Sequence, residues 1–309
     1  MNNKISLNTK IYITGHKGMV GSACWRALES KGYKNLIGFS SRDIDLRDQK
    51  AVFKLLDKEK PEAIIDAAAK VGGILANSSY PYEFLMDNML IQNNLIKAAH
   101  ELNIPKFIFL GSSCIYPKMA PQPLKEEYLL TGPLEESNQW YALAKISGVK
   151  LIEALRKQYK KDYISLMPTN LYGPGDNYDL ETSHVLPAMI RKFSEAKERS
   201  LKNVELWGTG SPNREFLHVD DLAKAVVFSL ENSLDKSIYN VGSGREISIN
   251  DLALLIKKIV GFEGEIKWDK SKPDGTPRKL LDSTKIDCLG WKSKITLEEG
   301  IEMIYKSEF

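Results

Sequence analysis

The sequence predicts an α/β fold, a doubly wound parallel sheet of Rossmann type with a second, smaller substrate-binding lobe. Three observations carry this. Short apolar runs alternate with longer amphipathic stretches, a glycine-rich turn joins the first run to the first amphipathic stretch, and from about Leu171 onward turn-forming segments separate shorter elements.

The runs at 10–14, 36–39, 63–66, 107–110 and 163–167 are short, apolar and mostly β-branched or aromatic, as strands buried on both faces must be. Between them, 18–31, 48–58, 81–103 and 138–160 are long enough for helical crossovers. Right-handed crossovers put ligands at the carboxyl ends of the strands, so the chemistry is sought there. Gly173-Pro-Gly175, the segment 208–212 and the segment 272–277 supply the turns of the second lobe, while 218–241 and 248–260 regain a helix-and-strand rhythm. We therefore expect a main domain from 1–170 with 214–246, and a second lobe from 171–213 with 247–309.

With 43% hydrophobic and 27% charged residues in 309, the chain has ordinary globular composition. Its 43 basic and 40 acidic residues leave a net charge of +3, too small a field to draw nucleic acid or a membrane surface, so neither is expected as a partner. The first residues lack the apolar run of a signal peptide and no stretch reaches the length of a membrane span, so the expectation is cytoplasmic. Cys24, Cys114 and Cys288 are widely spaced and odd in number, which speaks for free thiols and against a disulfide framework or a metal site.

Gly15-His-Lys-Gly18-Met-Val-Gly21 follows an expected strand and opens an expected helix. In that context Gly15, Gly18 and Gly21 permit a tight turn and close backbone approach, while the helix amino terminus, with Met19 and Val20, presents free N–H groups to a pyrophosphate. The spacing Gly-x-x-Gly-x-x-Gly resembles that of short-chain dehydrogenases/reductases. After the second strand comes Ser40-Ser-Arg42-Asp43. Arg42, helped by Lys17, suits the 2′-phosphate of NADP; Asp43 leaves NAD open.

Tyr141-Ala-Leu-Ala-Lys145 sets a phenol and an ammonium one helical turn apart, and a nearby cation is expected to lower the tyrosine pKa toward a range useful in acid–base work. Ser112, just past the fourth strand, can donate to a carbonyl oxygen as it gains charge.

These motifs, with Ala67-Ala-Ala-Lys-Val-Gly-Gly73, Gly111-Ser-Ser-Cys-Ile-Tyr-Pro117, Met167-Pro-Thr-Asn-Leu-Tyr-Gly-Pro174, Arg214-Glu-Phe-Leu-His-Val-Asp-Asp221 and the segment 271–282, resemble the GDP-L-fucose synthase family nearly end to end. The resemblance implies epimerisation of a GDP-4-keto-6-deoxy sugar at C3 and C5, then NADPH-dependent reduction at C4. It implies Tyr141 as proton donor, with Ser112 and Lys145 assisting, and Cys114 and His184 as the epimerising pair. Ala67, Leu110, Gly111, Pro168, Asn170, Leu171 and His184 are implied as further cofactor contacts. Lys192, Trp207, Arg214, Asp274 and Lys279 are implied as substrate contacts, and the helices 81–103 and 138–160 as the face of a homodimer. A reductase of another GDP-4-keto sugar, such as a heptose, remains the alternative.

Overall fold

The computed structural model describes residues 5–180, 182–272 and 274–309, so the first four residues of the N-terminal stretch and Pro273 of the segment 271–282 lie outside the described residues. In chain order the first half runs β1 (Ile11–Thr14), α1 (Met19–Ser30), β2 (Leu36–Ile37), α2 (Gln49–Glu59), β3 (Ala63–Asp66), α3 (Ile74–Ser79), α4 (Pro81–Glu101), β4 (Lys106–Leu110), α5 (Gln139–Tyr159) and β5 (Asp162–Pro168). The rest runs β6 (Asn170–Tyr172), α6 (Val185–Glu198), β7 (Asn203–Trp207), β8 (Asn213–His218), α7 (Val219–Glu231), β9 (Ile238–Val241), β10 (Glu246–Ser248), α8 (Ile249–Val260), β11 (Glu265–Asp269), β12 (Arg278–Lys279), α9 (Thr284–Cys288) and α10 (Leu297–Glu308).

The main sheet has six strands in the order β2-β1-β3-β4-β5-β9, all parallel. Parallel strands need covered faces. One face packs Ile11, Ile13, Ile65, Ile108 and Ile164 against α1 and α7; the other packs Tyr12, Ile64, Phe107, Phe109 and Tyr163 against α2, α4 and α5. Each fully buried side chain of this size contributes about 1.5–3 kcal/mol. Strand order reverses beside β1, the switch point at which such sheets bind ligands.

Helix ends follow local chemistry. The Asp48 carboxylate accepts from the Lys50 and Ala51 N–H groups to start α2, Ser248 caps α8, and Thr296 with Glu299 forms a capping box on α10. By contrast, Gly18 before α1 and His184 before α6 supply no side-chain cap. Both uncapped ends face the same cleft.

In the second lobe, β8 pairs with β6, β10 and β12, and β7 pairs with β11. Tyr172, Leu186, Phe193, Phe216, Ile256 and Ile301 form its separate core. Past β8 the chain returns to the main sheet, α7 packing on the same core as α1 and β9 adding the last strand. Among the described residues no helix is long and apolar enough to cross a membrane.

Candidate active site

A cleft of about 1450 Å³ runs between the carboxyl edge of the main sheet and the second lobe. It brings together every site residue anticipated from the sequence except Asp43.

The glycine turn forms one end. Gly15 has a left-handed φ of 62°, and a Cβ on it would stand 2.7 Å from the Ala67 carbonyl oxygen. A Cβ on Gly21 would stand 2.2 Å from the Gly15 oxygen, so α1 packs directly on the turn. The first turn of α1 carries no acidic residue, leaving the N–H groups of Met19, Val20 and Gly21 and the positive helix end to the cleft. This cradle fits a dinucleotide pyrophosphate. Ala67, Leu110, Gly111, Pro168, Asn170 and Leu171 continue its wall along the ends of β3, β4 and β5.

Lys17 and Arg42 stand exposed at the mouth of this end, where a 2′-phosphate would lie. Asp43 does not join them. Its carboxylate turns back to accept from the Ser40 N–H at 2.7 Å and the Ser40 hydroxyl at 2.6 Å, bonds that hold its pKa below the usual carboxylate range. The ribose contact that Asp43 would make in an NAD site is thereby taken by the loop itself, while Lys17 and Arg42 line the cleft.

Beyond the glycine turn, Tyr141 and Lys145 project from one face of α5. The Lys145 ammonium is 3% exposed, donates to the Leu110 carbonyl at 2.8 Å and lies 5.8 Å from the centre of the Tyr141 ring. The expected lowering of the Tyr141 pKa is not found: burial first, then Cys114 and Asp66, push it well above the ordinary tyrosine value. Desolvation of the phenolate outweighs the ammonium, which itself is pushed down by burial. Tyr141 is thus held as a phenol. Ser112 begins a short 3₁₀ turn, accepting from the Cys114 N–H at 3.3 Å.

Cys114 is only 7% exposed, and burial pushes its thiol pKa up while Lys279 and Lys145 pull it back. His184, at the start of α6, meets the cleft on the opposite wall; desolvation and then Lys279 push its imidazole below the ordinary value. At neutral pH the pair therefore rests as a thiol and a neutral imidazole.

The second lobe completes the far end. Lys192 donates to the Glu205 carbonyl at 3.0 Å and Arg214 to the Asn213 carbonyl at 2.8 Å, both pushed down by desolvation. Asp274 ties the 274–279 loop to the β7–β8 turn, accepting from the Thr209 N–H at 2.7 Å and the Thr209 hydroxyl at 2.8 Å. Trp207 is 56% exposed, too open for a core residue, and the Lys272 ammonium sits 5.3 Å from its ring centre. Asn170 donates to the Glu215 carbonyl at 2.8 Å.

Sequence reasoning passed over Glu135 and Asp66. Glu135 lines the cleft, accepts from the Thr276 hydroxyl at 3.2 Å and pairs with Lys118 at 3.1 Å. It sits in an irregular loop, where no periodicity marks it. Asp66 left a readable trace, an acid closing the otherwise apolar strand Ala63-Ile-Ile-Asp66.

Comparison with known proteins agrees with this geometry. Residues 11–242 match the model of the NAD dependent epimerase/dehydratase family. The chain is 53% identical to GDP-L-fucose synthase 1 of Arabidopsis thaliana over 298 residues, covering 96% of this chain and 92% of that one. It is 47% identical to the GDP-L-fucose synthase of Escherichia coli, covering 96% and 95%. Among solved structures, a GDP-mannoheptose C4 reductase from Campylobacter jejuni with NADP bound superposes with a TM-score of 0.90 at 37% identity, covering 98% of each chain.

Proposed function

The chain belongs to the NAD dependent epimerase/dehydratase family, and from that premise we propose that it is an NADP-dependent epimerase-reductase that converts a GDP-linked 4-keto-6-deoxy sugar to GDP-L-fucose. The observation that carries the reading is the meeting, in one cleft, of Tyr141, Lys145 and Ser112 with the second pair Cys114 and His184.

Bound NADPH supplies the hydride for reduction at C4. Gly15, Gly18 and Gly21 let the backbone approach its pyrophosphate, Arg42 and Lys17 take its 2′-phosphate, and Lys145 with Asn170 borders its nicotinamide end. Tyr141, kept a phenol by burial, gives its proton to the C4 oxygen as negative charge develops there, and the Ser112 hydroxyl donates to the same oxygen. A C4 carbonyl acidifies the hydrogens at C3 and C5. Cys114 holds an exchangeable proton and His184 a free lone pair, the complement needed to remove a proton from one face and return one to the other.

Lys192, Arg214 and Lys279 supply cations to the diphosphate, Trp207 an open aromatic face, and Asp274 fixes the closing loop. We assign the cofactor to 1–170 with 214–246 and the sugar nucleotide to 171–213 with 247–309; the link between them is β8, which pairs in the small sheet and leads directly into α7, packed on the main-sheet core shared with α1. Tyr82, Met86 and Leu90 on α4 and Trp140 and Leu143 on α5 are exposed apolar residues, which supports a homodimer through these two helices. Cytoplasmic residence completes the proposal.

Incubation with GDP-4-keto-6-deoxy-mannose and NADPH in deuterated water tests it. The expected product is reduced at C4 and carries deuterium at C3 and C5. Reduction without deuterium assigns the chain to the C4 reductases of other GDP-4-keto sugars, such as a heptose, and no reduction overturns the reading.

A further inference from the structure

Strand β3 is Ala63-Ile-Ile-Asp66, and its last residue breaks the apolar pattern with a carboxyl that is 1% exposed. One Asp66 oxygen, Oδ1, accepts from the Thr14 hydroxyl at 2.9 Å and more weakly from the Ala68 N–H at 3.4 Å. The other, Oδ2, is buried with no hydrogen-bond partner in the protein. Burying a carboxyl with an open oxygen costs stability that an apolar residue in the same strand would not cost.

Register shows what the carboxyl faces. Asp66 pairs with Thr14 on β1 and with Phe109 on β4. Residues in register on adjacent parallel strands project to the same face, so the three side chains form one row across the sheet. The Lys145 ammonium lies 4.7 Å from the centre of the Phe109 ring, on that face, and its bond to the Leu110 carbonyl uses one of its three N–H donors. Tyr141 stands one helical turn earlier on the same side of α5. Asp66 also lines the cleft floor.

The geometry points to Asp66 as the counter-charge of the Tyr141–Lys145 pair, a positioning residue that keeps Lys145 an ammonium and the transferable proton on the Tyr141 phenol. This rests on the reductase reading above. Without a negative charge below them, the buried ammonium is held less strongly, and the phenol, relieved of a like charge beside its phenolate, ionises more readily. The electrostatics agree in direction. Asp66 raises both Lys145 and Tyr141, while burial raises Asp66 itself and Lys145 draws it back. The other titratable groups facing this cluster are Tyr12 from β1 and Cys114 from the loop after β4.

The test is Asp66→Asn, which keeps the shape and an acceptor for Thr14. In protein saturated with NADP+, phenolate absorbance of Tyr141 is isolated by subtracting the matching Tyr141→Phe protein in each background. Removing the counter-charge is expected to bring the phenolate in about one pH unit lower. The alkaline limb of kcat for the keto sugar is expected to move down with it, while NADPH affinity stays within about twofold. Phenolate that appears at an unchanged or higher pH overturns the proposal, as does lost NADPH affinity with an unmoved phenolate. Because the absorbance titration needs no sugar, a parent protein that reduces no GDP-4-keto sugar overturns the reductase reading and leaves the Asp66 measurement standing on its own.

Discussion

The Lys145 ammonium is fixed by the Leu110 carbonyl, at 2.8 Å, and it meets Tyr141 only across the ring. The lysine is therefore anchored to the end of β4, and the tyrosine remains a neutral acid. Tyr141→Phe is expected to lower kcat by about 10²–10⁴-fold, the range for loss of a positioned proton donor, with NADPH affinity retained. Lys145→Met should lower kcat and weaken NADPH binding together. The two patterns are separated by NADPH fluorescence titration alongside steady-state turnover. Equal loss of NADPH affinity in both variants would contradict the division of roles.

Epimerisation should be separable from reduction. Cys114→Ala is expected to abolish inversion at C3 and C5 while a substrate already epimerised is still reduced, measured by NMR of the product and NADPH consumption. The pH dependence has a definite sign. His184 must be neutral to accept a proton, and desolvation and Lys279 push its pKa below the ordinary histidine value, so the acid limb of deuterium exchange should fall below about 6.5. Placement of that limb above the ordinary value would show that His184 gains a negative neighbour when substrate binds.

Much of this was legible in the sequence because it is periodic. The expected helices 18–31, 48–58, 81–103 and 138–160 lie within a few residues of α1, α2, α4 and α5, and the five expected strands all enter the main sheet. Local spacing likewise set Tyr141 and Lys145 on one face. The sign of the tyrosine's pKa shift was not legible, because it depends on burial by Phe84, Cys114 and the sheet floor, which are remote in the chain. Asp43 illustrates the same limit. Its position after β2 reads as a ribose ligand, but its carboxylate closes a turn on Ser40 three residues away. The role of Asp66 needed the register of three strands, which no single segment encodes.

Cofactor choice should rest on Arg42. Arg42 and Lys17 face the cleft while Asp43 is engaged by its own loop, so removal of the Arg42 guanidinium takes away a charge-assisted contact and leaves no acid in its place. Arg42→Ala is expected to weaken NADPH binding by about 10–100-fold and leave NADH binding nearly unchanged, since only the former has a 2′-phosphate to lose. Binding titrations with both nucleotides decide it. A parallel loss for NADH would mean that Arg42 supports the loop and not the phosphate.

The last prediction concerns what holds the second lobe to the cleft. Glu215, fully buried on β8, accepts from the Gly244 N–H at 2.7 Å with one carboxylate oxygen and from the Leu281 N–H at 3.0 Å with the other, while its backbone carbonyl accepts from Thr169 and Asn170 at the end of β5. Glutamine has one oxygen, so Glu215→Gln turns an NH₂ group toward an N–H donor and leaves one buried backbone donor unpaired, at a cost of about 1–3 kcal/mol. At about 2–4 °C per kcal/mol the melting temperature should fall by roughly 2–12 °C. The pH dependence separates this from simple loss of packing. Burial raises the Glu215 pKa above its ordinary value, so as pH falls the folded protein takes up this proton before the unfolded chain does and gains stability from it. The stability gap between parent and variant should therefore be narrowest near neutral pH and widen on acidification through that raised value, read from thermal melts across that range. A gap of constant size would show that folding does not shift the Glu215 carboxyl, and that the amide costs shape alone.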